Sequence, residues 1–142
     1  MTIATILNQK GRDVFKTDPA TTLVEVVKML RDKGVGAILV AEGEKLCGIL
    51  SERDIVRALS NHGGSALLRP ASEFMTKDVM TCTEDETIVS VMSRMTTGRF
   101  RHMPVVKGRK IAGLVSIGDV VKFRIEETER EAEDMRAYIA AG

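Results

Sequence analysis

Residues 14–57 slide onto residues 79–122 at an offset of 65 positions, with no gap. Eleven of the 44 aligned positions are identical: Val14/Val79, Thr22/Thr87, Val24/Val89, Val26/Val91, Val40/Val105, Gly43/Gly108, Lys45/Lys110, Gly48/Gly113, Ser51/Ser116, Asp54/Asp119 and Val56/Val121. Many of the remaining pairs match apolar with apolar. An internal repeat constrains architecture more than any other sequence feature, because whatever one copy folds into the other must fold into too. A chain of 142 residues has room for one domain or two small subdomains. Half of it is marginal as an independent core, so the two copies are expected to pack together and share one.

Each copy runs through the same order of elements. A short extended lead-in, DVFKT or DVMTC, comes first. A helix follows: Leu23, Val26, Val27 and Leu30 keep the i, i+3, i+4, i+7 spacing of one buried face, as do Ile88, Val91, Met92 and Met95. Thr22 and Thr87 stand at the N-cap position, with Glu25 and Ser90 three residues on, and Gly34 and Gly98 are expected to stop the helices. Two strands rich in β-branched residues then turn on Gly43 or Gly108, and the chain enters a second helix near Asp54 or Asp119. The expected fold is α/β (α+β), two β-α-β-β-α repeats. Repeat 1 is expected over 8–60, a linker broken by Gly63-Gly64 and Pro70 over 61–78, repeat 2 over 79–124, and a charged C-terminal helix over 125–142 with i, i+4 ion pairs. Ile125, Met135, Tyr138 and Ile139 on that helix can face solvent or dock on a partner.

Composition removes several function classes. The formal net charge is +1 and Trp is absent, which gives neither the basic excess nor the stacking platforms of a nucleic-acid binder. No apolar run approaches the ~20 residues of a membrane span, and MTIATILNQKGRDV lacks the layout of a signal peptide. Cys47 and Cys82 form no CxxC, and two thiols suggest a reducing cytoplasm. His62 and His102 fall in different elements without metal-ligand spacing, and no GxSxG, P-loop or GxGxxG occurs. Neither an enzyme nor a metal site can be assembled from these parts. Cys47, aligned with Ala112, is expected to fill core space; Cys82, aligned with Thr17, either packs or lines a pocket.

The chemistry concentrates in the doubled turns, GILSERDIVRAL at 48–59 and GLVSIGDVVKF at 113–123. A strand running into a helix exposes backbone N–H groups at the positive end of the helix dipole, a ready site for anions. The serine can offer its hydroxyl to a phosphate or to the backbone. The aspartate can cap the helix or accept two hydrogen bonds from a ribose 2′,3′-diol. Both readings stay open on the motif alone.

The repeat, its element order and these two turns resemble a tandem pair of cystathionine-β-synthase (CBS) domains, a Bateman module, over residues ~8–124; with no catalytic domain attached, the chain looks like a stand-alone CBS-pair protein. The resemblance implies pseudo-twofold packing and two composite clefts that bind adenosine-containing ligands: AMP most of all, with ADP, ATP, NAD(H) or S-adenosylmethionine as variants. One cleft would join Ser51, Arg53 and Asp54 to Thr81, Cys82, Arg101, His102 and Met103. The other would join Ser116, Gly118 and Asp119 to Thr17, Asp18, Gly36, Ala37 and Ile38. Asp54 and Asp119 would hold ribose hydroxyls. Arg53, Arg101 and His102 make the first cleft the better phosphate site. Non-catalytic nucleotide sensing is the leading reading, with a ligand-free interaction module as the alternative. The resemblance also suggests a homodimer packed through the helices at 23–33 and 88–97, and an unknown regulated partner protein.

Overall fold

The repeat periodicity yields the expected elements, preceded by one that it does not reveal. In the computed structural model, which describes residues 1–142, the order is α1 (Ile3–Lys10), β1 (Lys16–Thr17), α2 (Leu23–Lys33), β2 (Ala37–Glu42), β3 (Lys45–Ser51), α3 (Glu52–His62), two 3₁₀ turns (Gly63–Leu68 and Ala71–Glu73), α4 (Ile88–Gly98), β4 (His102–Lys107), β5 (Lys110–Ser116) and α5 (Ile117–Ala141). The class is mixed α/β (α+β), with small sheets and helices. Two units result: Asp13–Met80 with the hairpin-tip residues Gly108–Ile111, and Met1–Arg12 with Thr81–Lys107 and Ala112–Gly142.

In the first repeat β1 pairs parallel to β2, and β2 antiparallel to β3, in a three-stranded sheet. In the second repeat only β4 and β5 form a sheet. The lead-in contributes a single parallel bridge, Cys82 to Val105, the counterpart of the Thr17–Val40 pair. The cause is Pro104. Its counterpart Leu39 donates its N–H to the Phe15 carbonyl at 3.0 Å; proline has no N–H to give, so the ladder loses a rung and shrinks to one bridge.

The helix caps are also uneven. Gly34 ends α2 in the left-handed region (φ 64°, ψ 37°) as expected. In the second repeat that conformation falls on Arg99 (φ 56°), the residue aligned with Gly34, whereas Gly98 is the last residue of α4. Gly98 serves packing instead: a β-carbon there would collide with the Phe100 ring. Thr87 caps α4 by accepting from the Ser90 N–H at 3.1 Å. Thr22 makes no side-chain cap bond; the first N–H of α2 donates to the Arg69 carbonyl at 2.9 Å.

Each unit has its own core rather than the single shared one expected. Leu23, Val26, Leu30, Ile38, Val40, Leu50 and Ile55 form one, closed by Ala58, Ala66 and Ala71 with Phe74 and Met75 against it. Ile88, Val91, Met95, Met103, Val105, Val115, Val120 and Phe123 form the other, with Ile3, Ile6, Leu7 and Cys82. The physical reason is an exchanged arm. The segment before repeat 2 packs on repeat 1, and the segment before repeat 1 packs on repeat 2. Leu23 N donates to Arg69 O, and Ala71 N to Thr21 O; correspondingly Ile88 N donates to Met1 O, and Ile3 N to Glu86 O. Residues 61–78, expected as a linker, are therefore folded against the first core.

Candidate ligand-binding turns

Both doubled turns form capping boxes. Ser51 ends β3 and caps α3: its Oγ accepts from the Asp54 N–H (3.4 Å), while Asp54 Oδ2 accepts from the Ser51 N–H (2.9 Å) and hydroxyl (3.1 Å). Ser116 repeats this at α5, accepting from Asp119 N–H (3.1 Å) as Asp119 Oδ2 accepts from Ser116 N–H (2.9 Å). A further N–H of each helix is taken by the residue before β2 or β4 of its own repeat: Glu52 N donates to Gly36 O at 3.0 Å, and Ile117 N to Arg101 O at 2.7 Å. Each turn is thus fixed by three hydrogen bonds at matched positions. Capping does not exhaust a carboxylate, which has acceptor positions on two oxygens. Both boxes use Oδ2, while Asp54 Oδ1 lies 3.4 Å from Thr76 Oγ1 and 3.8 Å from an Arg57 guanidinium nitrogen.

The two aspartates differ in what else holds them. Asp54 is buried, at 8% exposure. Asp119 is a quarter exposed, and Lys10 from α1 places its ammonium 2.6 Å from Oδ2 while also donating to the Leu114 carbonyl at 2.9 Å. Burial pushes the Asp119 carboxyl up, but the Lys10 ammonium and the Ser116 donors outweigh it and hold it below the usual carboxylate value. Lys10 belongs to no motif. Its position follows from the arm exchange, for which the gapless repeat carries no signal, because the equivalent arm residues lie 68 rather than 65 positions apart.

The remaining predicted residues are placed as follows. Arg53 and Gly118 stand in the first turns of α3 and α5, both exposed. Beside Gly118, a β-carbon would meet only Ser116 Oγ at 3.6 Å. Thr17 Oγ1 donates to Thr21 Oγ1 at 2.8 Å, and Asp18 closes a turn by accepting from Ala20 N–H at 2.8 Å. Ala37, Ile38, Cys82 and Met103 are buried, whereas Arg101 is exposed and Gly36, Thr81 and His102 are half-buried. Burial first, then the charge of Glu86, push the Cys82 thiol up to about 12, with Arg94 opposing, so the thiol is unreactive. Cys47, half-buried in β3, packs against the first core.

The CBS-domain family model matches residues 10–61 and 71–126. The mitochondrial CBS domain-containing protein CBSX3 of Arabidopsis thaliana is 33% identical, over 99% of this chain and 73% of its own length. The CBS-domain protein ATU1752 of Agrobacterium tumefaciens has the same fold, with TM-score 0.85 and 38% identity, over 87% of this chain and 99% of that one. The CBS pair of protein MJ0100, in complex with 5-methylthioadenosine and S-adenosyl-L-methionine, superposes with TM-score 0.77 at 25% identity, over 87% of this chain and 98% of that one. No helix is long and apolar enough to cross a membrane.

Proposed function

The chain belongs to the CBS-domain family, and on that premise we propose that it is a non-catalytic sensor of adenosine nucleotides, AMP foremost and ADP, ATP or NAD(H) as variants, that signals by conformational change. The observation that carries this reading is the doubled capping box. Two turns hold Ser and Asp in matched hydrogen-bonded frames, at the positive end of a helix dipole. The complex of the similar MJ0100 pair with two adenosine compounds supports the ligand class.

In this assignment Asp54 and Asp119 accept the ribose hydroxyls. The other members of the proposed set are Ser51, Arg53, Ser116 and Gly118 of the two turns, with Thr17, Asp18, Gly36, Ala37, Ile38, Thr81, Cys82, Arg101, His102 and Met103. Arg53, Arg101 and His102 are its phosphate-binding members. Lys10 already occupies Oδ2 of Asp119, so a diol at the second turn meets a partly satisfied carboxylate and binds more weakly. A carboxylate on the ribose repels a 2′-phosphate, so NAD(H) is preferred over NADP(H). A ligand that binds two states unequally is sufficient to switch between them. The chain works as a homodimer in the cytoplasm, where its two free cysteines stay reduced.

The test is a thermal-shift series with adenosine, AMP, ADP, ATP, NAD, NADP, S-adenosylmethionine and GMP. A ligand at 100 times its dissociation constant stabilises the folded state by about 2.7 kcal/mol. The adenine-dependent increment is expected in the wild type and lost in Asp54→Ala. Removing the cap lowers the baseline melting temperature in either case, so the increment is the quantity that decides. No increment with any adenine ligand would leave the two aspartates as caps of a ligand-free interaction module.

A further inference from the structure

Helix α5 continues well past the core that it helps to close. Val120 and Phe123 are buried in that core, and on the same side Glu127 pairs with the Met1 amino group and Arg124. A separate face carries Val121, Ile125, Thr128, Ala132, Met135 and Ile139, spaced four, three, four, three and four residues apart. Val121, Ile125, Met135 and Ile139 are 40%, 53%, 60% and 69% exposed. A four-three alternation is the seam of a two-stranded left-handed coiled coil, and from Val121 to Ile139 it extends about 27 Å at 1.5 Å per residue.

The flanking charges choose the occupant. In a parallel, in-register pair the residue before Ile125 or Ala132 faces the residue five further along on the other helix. Glu131 of one copy then faces Arg136 of the other, and Arg124 faces Glu129, each occurring twice by symmetry. An antiparallel pairing over the same six positions instead sets Glu129 against Glu129 and Glu131 against Glu131. Arg124 is already held by Glu127 at 2.6 Å, so the Glu131–Arg136 pairs carry most of the selection. We infer that the exposed seam of α5 docks on α5 of a second copy of this chain, as a parallel coiled coil in register. This rests on the homodimer reading and locates its contact on α5 rather than only on the helices at 23–33 and 88–97.

The experiment is sedimentation equilibrium of the full chain over a concentration series, with circular dichroism to confirm folding. A reversible dimer is expected. Glu131→Arg and Arg136→Glu should each weaken it about tenfold, and the double reversal should recover most of the loss. Met135→Cys, in a Cys47→Ser background, should cross-link between copies on oxidation, because parallel register sets residue 135 against itself. A dimer indifferent to both single reversals overturns the seam while leaving the homodimer reading intact. A monomer at every concentration overturns both. Recovery in the double reversal without the cross-link overturns the parallel register.

Discussion

Replacing Lys10 by Met removes one ammonium and keeps most of the aliphatic stem. The structure sets what that charge is worth. It donates at 2.6 Å to Asp119 and at 2.9 Å to the Leu114 carbonyl, with side-chain exposures of 38% for Lys10 and 25% for Asp119. Solvent screens such a pair, which places the loss at about 1 kcal/mol, or roughly 3 °C in melting temperature for a chain of this size. The pH dependence has a definite sign. Asp119 is held below its ordinary 3.8, so the stabilisation is present in full above that value and lost as pH falls through the lower folded one. The difference between wild type and Lys10→Met should therefore be largest near neutrality and shrink in the acid range below 3.8. It should also shrink in ~1 M salt, where screening shortens to about 3 Å. Thermal denaturation at neutral and acid pH, with Asp119→Asn completing a double-mutant cycle, measures both effects. A deficit of equal size at both pH values, with no coupling to Asp119, would show that Lys10 acts through packing or the Leu114 carbonyl, and that Asp119 is not restrained by the arm.

Three further outcomes are expected. Arg101→Ala should weaken AMP by about tenfold or more while leaving adenosine nearly unchanged, in line with the ~1.5–3 kcal/mol of a charged hydrogen bond; equal losses in calorimetric titrations would remove Arg101 from the phosphate. Gly48→Ala should cost about 2 kcal/mol or more and exceed Gly113→Ala, because a β-carbon at Gly48 meets the Thr76 backbone carbonyl at 2.8 Å, whereas at Gly113 it meets only the movable Leu7 side chain; chemical denaturation ranks the two. In the native protein a thiol reagent at mildly alkaline pH should label Cys47 and spare Cys82, whose thiol burial pushes up to about 12; rapid labelling of Cys82 would show that its core opens readily.

The order of elements in the repeat is legible because its signal is local. Helix periodicity, β-branched strands, hairpin glycines and the Ser–x–x–Asp spacing each act within a few residues, and each appears in its expected place at Leu23–Lys33, Ala37–Ser51 and Ile117–Ala141. Two departures each trace to a single residue. Pro104 removes a donor and reduces a strand to a bridge, and Phe100 rather than the helix end accounts for Gly98.

What the sequence determined by itself, then, is the unit: two copies of one α/β motif, each ending in a turn able to cap a helix and present a carboxylate. Tertiary structure decided which segment completes which copy. Ile3, Ile6 and Leu7 bury themselves in the core of the second repeat, 80 residues and more along the chain, while Ala66 and Ala71 close the first. No short-range pattern encodes that exchange, because its driving force is burial of apolar surface, which acts without direction and regardless of separation in sequence. The exchange also carries Lys10 to Asp119, so the chemical difference between two turns of the same design arises from packing and not from the motif they share.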